Sequence, residues 1–267
     1  MAGAVFMETL RQQWRQVIWW GLGLFVLDLY ILIIIPDVDM LEQMADFVST
    51  MPPLFMQFFG LSGAASLATP TGFIALLYGF VLLILVAWAV LSGLNVTSNE
   101  EDEGTLDMLL SLPIPRWRVV VEKYLVFAVL GLVMLTLGYL GLMAGLQVST
   151  LEIDTGRVLE MSLGMLPSLL CVVALTVFLS ALLKRRAAAV GLVTAIVVGS
   201  YVLNFLAESA PDSIFYSLRY ASLFNYYKGE AIMLDGLSWG NVGVVLAATL
   251  VLLAGSLWAF QRRDVAV

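Results

Sequence analysis

Apolar residues in this chain neither alternate nor, for most of its length, recur at a helical period. They run on without interruption. Six such stretches occur, at Val17–Ile35, Thr71–Leu94, Tyr124–Gln147, Ser162–Leu183, Ala187–Leu206 and Asn241–Phe260. Each is close to the roughly 20 apolar residues that carry a helix through a bilayer. In lipid every backbone polar group must be satisfied within the segment itself, so runs of this kind predict helices. A membrane β-barrel would show short alternating segments, and none is present. The predicted fold is an all-α polytopic membrane protein of six spans, with residues 1–267 forming a single transmembrane domain.

Composition agrees. The 267 residues are 61% hydrophobic and 12% charged, and the mean hydropathy is +0.97. Soluble domains are about 45–50% apolar and about 25% charged. A net charge of −7, with few and dispersed basic residues, gives no nucleic-acid signature. The one cysteine, Cys171, lies inside an apolar run and reads as a packing residue.

Charge sets the orientation. With both termini cytoplasmic, the inner segments hold Arg11, Arg15, Arg116, Arg118, Lys123, Lys184, Arg185, Arg186, Arg262 and Arg263, ten of the thirteen basic residues. Arg157, Arg219 and Lys228 fall outside, among the acids Asp37, Asp39, Glu42, Asp46, Glu152, Asp154, Glu160, Glu208, Asp212, Glu230 and Asp235. This is the positive-inside pattern, and it requires an even number of crossings.

Three connections and the leader carry further signals. In the leader, about residues 5–16, Phe6, Leu10, Trp14 and Val17 share a helical face, while Glu8, Arg11, Gln12 and Arg15 take the others. This predicts an interfacial helix with Trp14, Trp19 and Trp20 near the headgroups; the alternative is that the leader continues the first span. The outer loop 36–70 contains an amphipathic piece (Leu41, Met44, Ala45, Val48) and a short apolar piece, Leu54–Gly60, too short to cross. The outer segment 207–240 holds Phe215, Tyr216, Tyr220, Phe224, Tyr226, Tyr227 and Trp239, an aromatic set suited to a membrane interface. That interface reading leaves room for a re-entrant helix; an aromatic substrate gate is the sharper alternative.

The cytoplasmic loop 95–123 is the most informative. Four consecutive carboxylates, Glu100 to Glu103 with Asp102 among them, precede Gly104 and Thr105. Leu106, Leu109 and Leu110 then form an i, i+3, i+4 apolar face on a short helix. Pro113 and Pro115 end it, and Arg116, Arg118 and Lys123 anchor the return to the membrane. An apolar face rimmed by acid is costly to expose unless a partner covers it. The alternative is a solvated turn between two spans.

The run Glu100-Glu101-x-x-Gly104-Thr105-Leu106-x-x-Leu109-Leu110-Ser111-x-Pro113-x-x-Arg116 resembles the coupling segment of type-2 ABC exporter permeases. The closing Phe260-Gln261-Arg262-Arg263-Asp264-Val265 and the outer Ser222-Leu223-Phe224-Asn225-Tyr226 are similar to that family as well. Asp107 departs from it, standing where Glu is more usual. The resemblance implies a six-span permease in the cell membrane of a prokaryote, with an interfacial N-terminal helix. It implies ATPase-coupling roles for Glu100, Glu101, Glu103, Gly104, Thr105, Leu106, Leu109, Leu110, Pro113 and Arg116. The partners it implies are an ABC ATPase subunit, which would hold ATP and Mg, and a second permease copy or paralogue; no cofactor is expected on this chain.

Other chemistry is limited by what the sequence omits. It has no histidine and no Gly-Lys pair, hence no phosphate-binding loop of its own and no imidazole base or ligand. Gly60-Leu61-Ser62-Gly63 is similar to the motif of intramembrane serine proteases, but lacks a base. Asp28 falls at mid-depth of the first span, where a charge costs about 2.5–3.5 kcal/mol on insertion scales. It reads either as a cation contact or proton relay, or as an acid paired with Asn95, Thr136 or Asn204. Small residues recur at Gly141 and Gly145, and at Gly191, Ala195 and Gly199, which predicts close helix contacts within the chain. Pro167 predicts a kink in the fourth span. Two further function classes stand beside the exporter: an ATPase-independent secondary transporter or channel using Asp28, and a membrane enzyme, sensor or immunity protein.

Overall fold

The protein is seen here as a computed structural model that describes residues 3–52, 64–94, 115–183, 186–210 and 212–261. Among the described residues every regular element is a helix. In chain order they are α1 (Ala4–Ile34), α2 (Val38–Ser49), α3 (Ala64–Leu67), α4 (Pro70–Leu94) and α5 (Arg116–Leu146). Then follow α6 (Thr155–Leu182), α7 (Arg186–Ser209), α8 (Ile214–Leu218), α9 (Gly229–Asp235) and α10 (Trp239–Gln261). Two single 3₁₀ turns, Arg219–Ala221 and Phe224–Tyr226, lie between α8 and α9. Six of the helices, α1, α4, α5, α6, α7 and α10, are long and apolar enough to cross a membrane.

The helix ends depart from the apolar runs where local polar chemistry extends the helix. α5 starts at Arg116, eight residues before the apolar run at Tyr124, because Arg118 and Glu122 pair at i, i+4 in its first turns (2.6 Å). α6 starts at Thr155 rather than Ser162. Asp154 caps it, accepting from the Gly156 and Arg157 amides at 2.8 and 3.4 Å. The leader and the first span form one continuous helix, α1, so residues 5–16 are its first turns and not a separate element. At 1.5 Å per residue α1 is about 46 Å long, matching a bilayer with its headgroup layers. α2 is the amphipathic piece expected in the loop 36–70. Asp37 caps it through the Met40 amide at 2.9 Å, and Leu41 and Ala45 are buried. The apolar piece Leu54–Gly60 and Ser62 lie outside the described residues.

Two parallel pairs organise the bundle. α1 and α5 make the most extensive contact in the molecule. Glu122 meets Gly3 and Phe6 at one end. Leu32 overlies Gly145 near the other, and the Thr150 amide donates to the Pro36 carbonyl at 2.8 Å. α4 runs beside α6, with Tyr78 bonded to Ser162 (3.0 Å) near one end and Gly93 pressed on Thr176 near the other. The core lies where the pairs meet. Trp88 of α4 stands edge-on to Phe127 of α5 at 6.3 Å, and Leu169, Val173 and Val177 of α6 fill the space beneath. α6 is the central helix, and Pro167 is accommodated within it. α10 packs along α6, and α7 is held more loosely. Below, the face on which α1 begins is called the near face, and the opposite one the far face.

Candidate functional site

Three regions bring polar chemistry into this apolar bundle. The first is on the near face. Glu100, Glu101, Glu103, Gly104, Thr105, Leu106, Leu109, Leu110 and Pro113 all lie outside the described residues, as does Asn95. Arg116 is the first residue of α5. The segment leaves α4 after Leu94 and enters α5 at Arg116, on the face where α1 also starts. There the Glu122 carboxylate accepts the Gly3 amide at 3.2 Å, the Phe6 amide at 3.1 Å and the Arg118 Nε at 2.6 Å. A helix begins with unsatisfied N–H groups and a partial positive charge, so a carboxylate from another helix is a strong anchor for it. Glu122 thus ties the start of α1 to the helix that leaves residues 95–114. Sequence reasoning missed Glu122, because no local pattern tells which helix end a carboxylate reaches.

The second region is Asp28. It is 1% exposed, in the seam between α1 and α5, with Oδ2 3.3 Å from the place a Gly138 side chain would begin. Neither carboxylate oxygen has a hydrogen-bond partner among the described residues. The expected pairings with Thr136 and Asn204 are absent. Thr136 donates to the Leu132 carbonyl of its own helix, and the Asn204 side-chain Oδ1 has no partner among the described residues. α5 rises through the seam with glycine at 138, 141 and 145, so Asp28 faces backbone where a side chain would otherwise answer it.

The third region is a cavity of about 550 Å³ near the far face, between α4, α7 and the segment that precedes α10. Leu76, Gly79, Phe80 and Leu83 of α4 form one wall, and Tyr201, Asn204 and Phe205 of α7 another. Phe224, Leu234 and the charged residues Glu208, Lys228, Glu230 and Asp235 complete it. The walls are pinned. Ser222 Oγ donates to the Ser200 carbonyl at 2.8 Å, and the Leu223 amide donates to Ser200 Oγ at 2.7 Å. Phe224 then meets Tyr201 edge-on at 5.3 Å. Tyr227 donates its hydroxyl to the Met161 carbonyl at 3.3 Å, and burial holds this phenol well above its usual pKa, so it remains a donor. α9 folds back on the bundle, with Gly229 against Ala75 and Met161. No helix of the segment 207–240 is long enough to cross, and its exposed Ile214, Tyr216, Leu218 and Tyr220 fit the expected interface belt. Phe224 and Tyr227, by contrast, turn inward to the cavity.

The small-residue expectation divides. Gly141 and Gly145 are intrachain contacts, as predicted: a side chain at Gly141 would run into the Phe25 backbone, and one at Gly145 would meet Leu32 at 2.7 Å. Gly191 and Gly199 face open space, and Ala195 is exposed, so the α7 stripe packs on nothing among the described residues. Of the site residues that the sequence analysis named, only Arg116, as the first residue of α5, and Asp28 fall in described segments.

Six helices of this bundle are long and apolar enough to cross a membrane. Its sequence from residue 4 to 265 matches the family model of ABC-2 family transporter proteins. The chain belongs to that family and is a membrane-embedded permease, a transport subunit distinct from the ATPase. Among curated proteins no significant match was found.

Proposed function

We propose that this chain forms the translocation pathway of an ATP-driven exporter, coupled to a separate ABC ATPase through the segment Glu100–Pro113. In this reading the near face is cytoplasmic, both termini lie there, and two permease copies, or this chain and a paralogue, enclose the pathway in the cell membrane. ATP and Mg reside on the ATPase. The charge asymmetry of the loops supports the orientation.

The observation that carries the coupling reading is the Glu122 anchor. The helix that leaves the coupling segment holds the first turn of α1 by two backbone amides, and the two helices meet again near the far end, where Leu32 lies on Gly145. A push on residues 95–114 therefore moves α1 and α5 as one body. Rigid pairs shifting against a more loosely held helix such as α7 is a recognised form of conformational change in packed bundles.

The test is copurification of an ABC ATPase with the tagged chain from native membranes. Gly104→Trp and Leu109→Asp are expected to abolish it while membrane insertion persists. Retention of the ATPase by both variants overturns the coupling assignment.

A second reading, an ATPase-independent secondary transporter, is favoured by one observation: Asp28 is a buried carboxylate with no hydrogen-bond partner among the described residues. It requires ion-gradient-driven flux in liposomes containing this chain alone, and loss of that flux in Asp28→Asn.

A further inference from the structure

Among the described residues Asp28 is the one buried acid. Both carboxylate oxygens are out of contact with solvent, and neither has a hydrogen-bond partner there. No opposite charge shares its depth. Residues 16–34 of α1, 124–146 of α5, 161–182 of α6 and the whole of α4 carry no other charged side chain. The titratable groups around it are two phenols: Tyr78 of α4 interacts with its charge, and Tyr139 of α5 with Tyr78. The Tyr78 hydroxyl is bonded to Ser162 at 3.0 Å instead.

The seam around Asp28 is tight as well as apolar. α5 offers Gly138 at this level, with Oδ2 3.3 Å from the place its side chain would begin. One turn away on either side, Leu24 and Leu32 of α1 are buried. A carboxylate cut off from water and from every donor is too costly to keep ionised in such a place. The closed seam therefore contains the neutral acid, and ionisation requires water that the packing of α1 on α5 keeps out. Asp28 stands six residues before the end of α1. At 1.5 Å per residue this is about 9 Å, so the short way out of the seam leads to the far face.

From this geometry we infer that Asp28 is a proton-binding switch: the α1–α5 seam closes on the neutral acid, and loss of the proton opens the seam around Gly138 to water from the far side. The closed seam holds a proton that the open one gives up, so rising pH favours the open seam. Glu122 keeps the start of α1 on α5 in both states. The switch rests on neither functional reading above, since it needs no ATPase and no ion gradient.

Two measurements on the chain in phosphatidylcholine nanodiscs test it, each followed between about pH 5 and about pH 9. Infrared spectroscopy reads the carbonyl stretch of a protonated carboxyl group, and Asp28→Asn identifies the Asp28 band by its loss. Hydrogen exchange reads peptides covering residues 20–30 and 136–146. Rates are divided by those of Asp28→Asn at the same pH, which cancels the intrinsic pH dependence of exchange. The band is expected at the acid end and gone at the alkaline end. Over the same interval the exchange ratio is expected to rise at least about fivefold in both peptides. If Asp28→Asn does not fold, Asp28→Ser serves as the acid-free reference.

Three results overturn the inference: no Asp28 band at the acid end, a band unchanged through the alkaline end, or a band that disappears while the exchange ratio stays flat. Each of them leaves the ATPase copurification test untouched, so the switch and the export reading fail separately.

Discussion

α5 and α7 carry the same signature, small residues four apart on a spanning helix, and the fold treats them in opposite ways. On α5 the positions 138, 141 and 145 receive α1 so closely that Phe25 backbone and Leu32 side chain occupy the space of the missing side chains. On α7 Gly191 and Gly199 meet nothing among the described residues, and Ala195 is exposed beside them. In lipid, apolar burial gives helices little reason to associate, so close van der Waals packing decides which faces meet. A small-residue stripe states where a helix is able to approach. It does not state whether the approaching helix belongs to the same chain. In the exporter reading the α7 stripe remains available to a neighbour such as the second permease copy.

The contrast makes graded predictions. The largest effect is expected from Gly141→Leu, which sets a bulky side chain against backbone that has no rotamer to change. It should cost upward of about 3 kcal/mol, seen as collapse of the thermal transition in detergent. Gly145→Ala meets a movable side chain, Leu32, and should cost about 1–3 kcal/mol in the same assay. Glu122→Gln removes the carboxylate at the start of α1 while leaving the seam packed. Amide exchange at Phe6 should accelerate about tenfold with little change in the global transition. Gly199→Leu should be the mildest, within about 0.5 kcal/mol for the isolated chain. Its sharper readout is assembly: if the α7 face receives a second copy, crosslinking between copies falls in Gly199→Leu while the monomer melts as before. Equal destabilisation by Gly141→Leu and Gly199→Leu erases the distinction between the two helices.

A similar division runs through the polar groups. Asp37 and Asp154 cap α2 and α6 through amides two or three residues on. Such caps are local, and the sequence carries them, although Asp154 stands well before the apolar run that α6 continues into. Glu122 acts on residues more than a hundred positions earlier, and Asp28 is defined by partners that α5 fails to offer. Both depend on which helix lies alongside, and hydropathy is silent about that. The cavity shows the same limit. Its walls come from α4, α7 and the segment 224–235, and the sequence marked only the aromatic content of the last.

By itself, the sequence determined the six crossings, their alternation and the separation of charge between the two faces, together with the coupling-like segment that resembles the ABC-2 family. These follow from transfer of each segment between water and lipid, a property summed along the chain and blind to neighbours. Only the tertiary structure decided that α1 pairs with α5, that Glu122 holds the start of α1, and that, among the described residues, Asp28 has no hydrogen-bond partner and the α7 stripe stays open. The reason is physical: between lipid-immersed helices the choice of partner rests on fit at a few close contacts, and fit exists only once two surfaces are brought together.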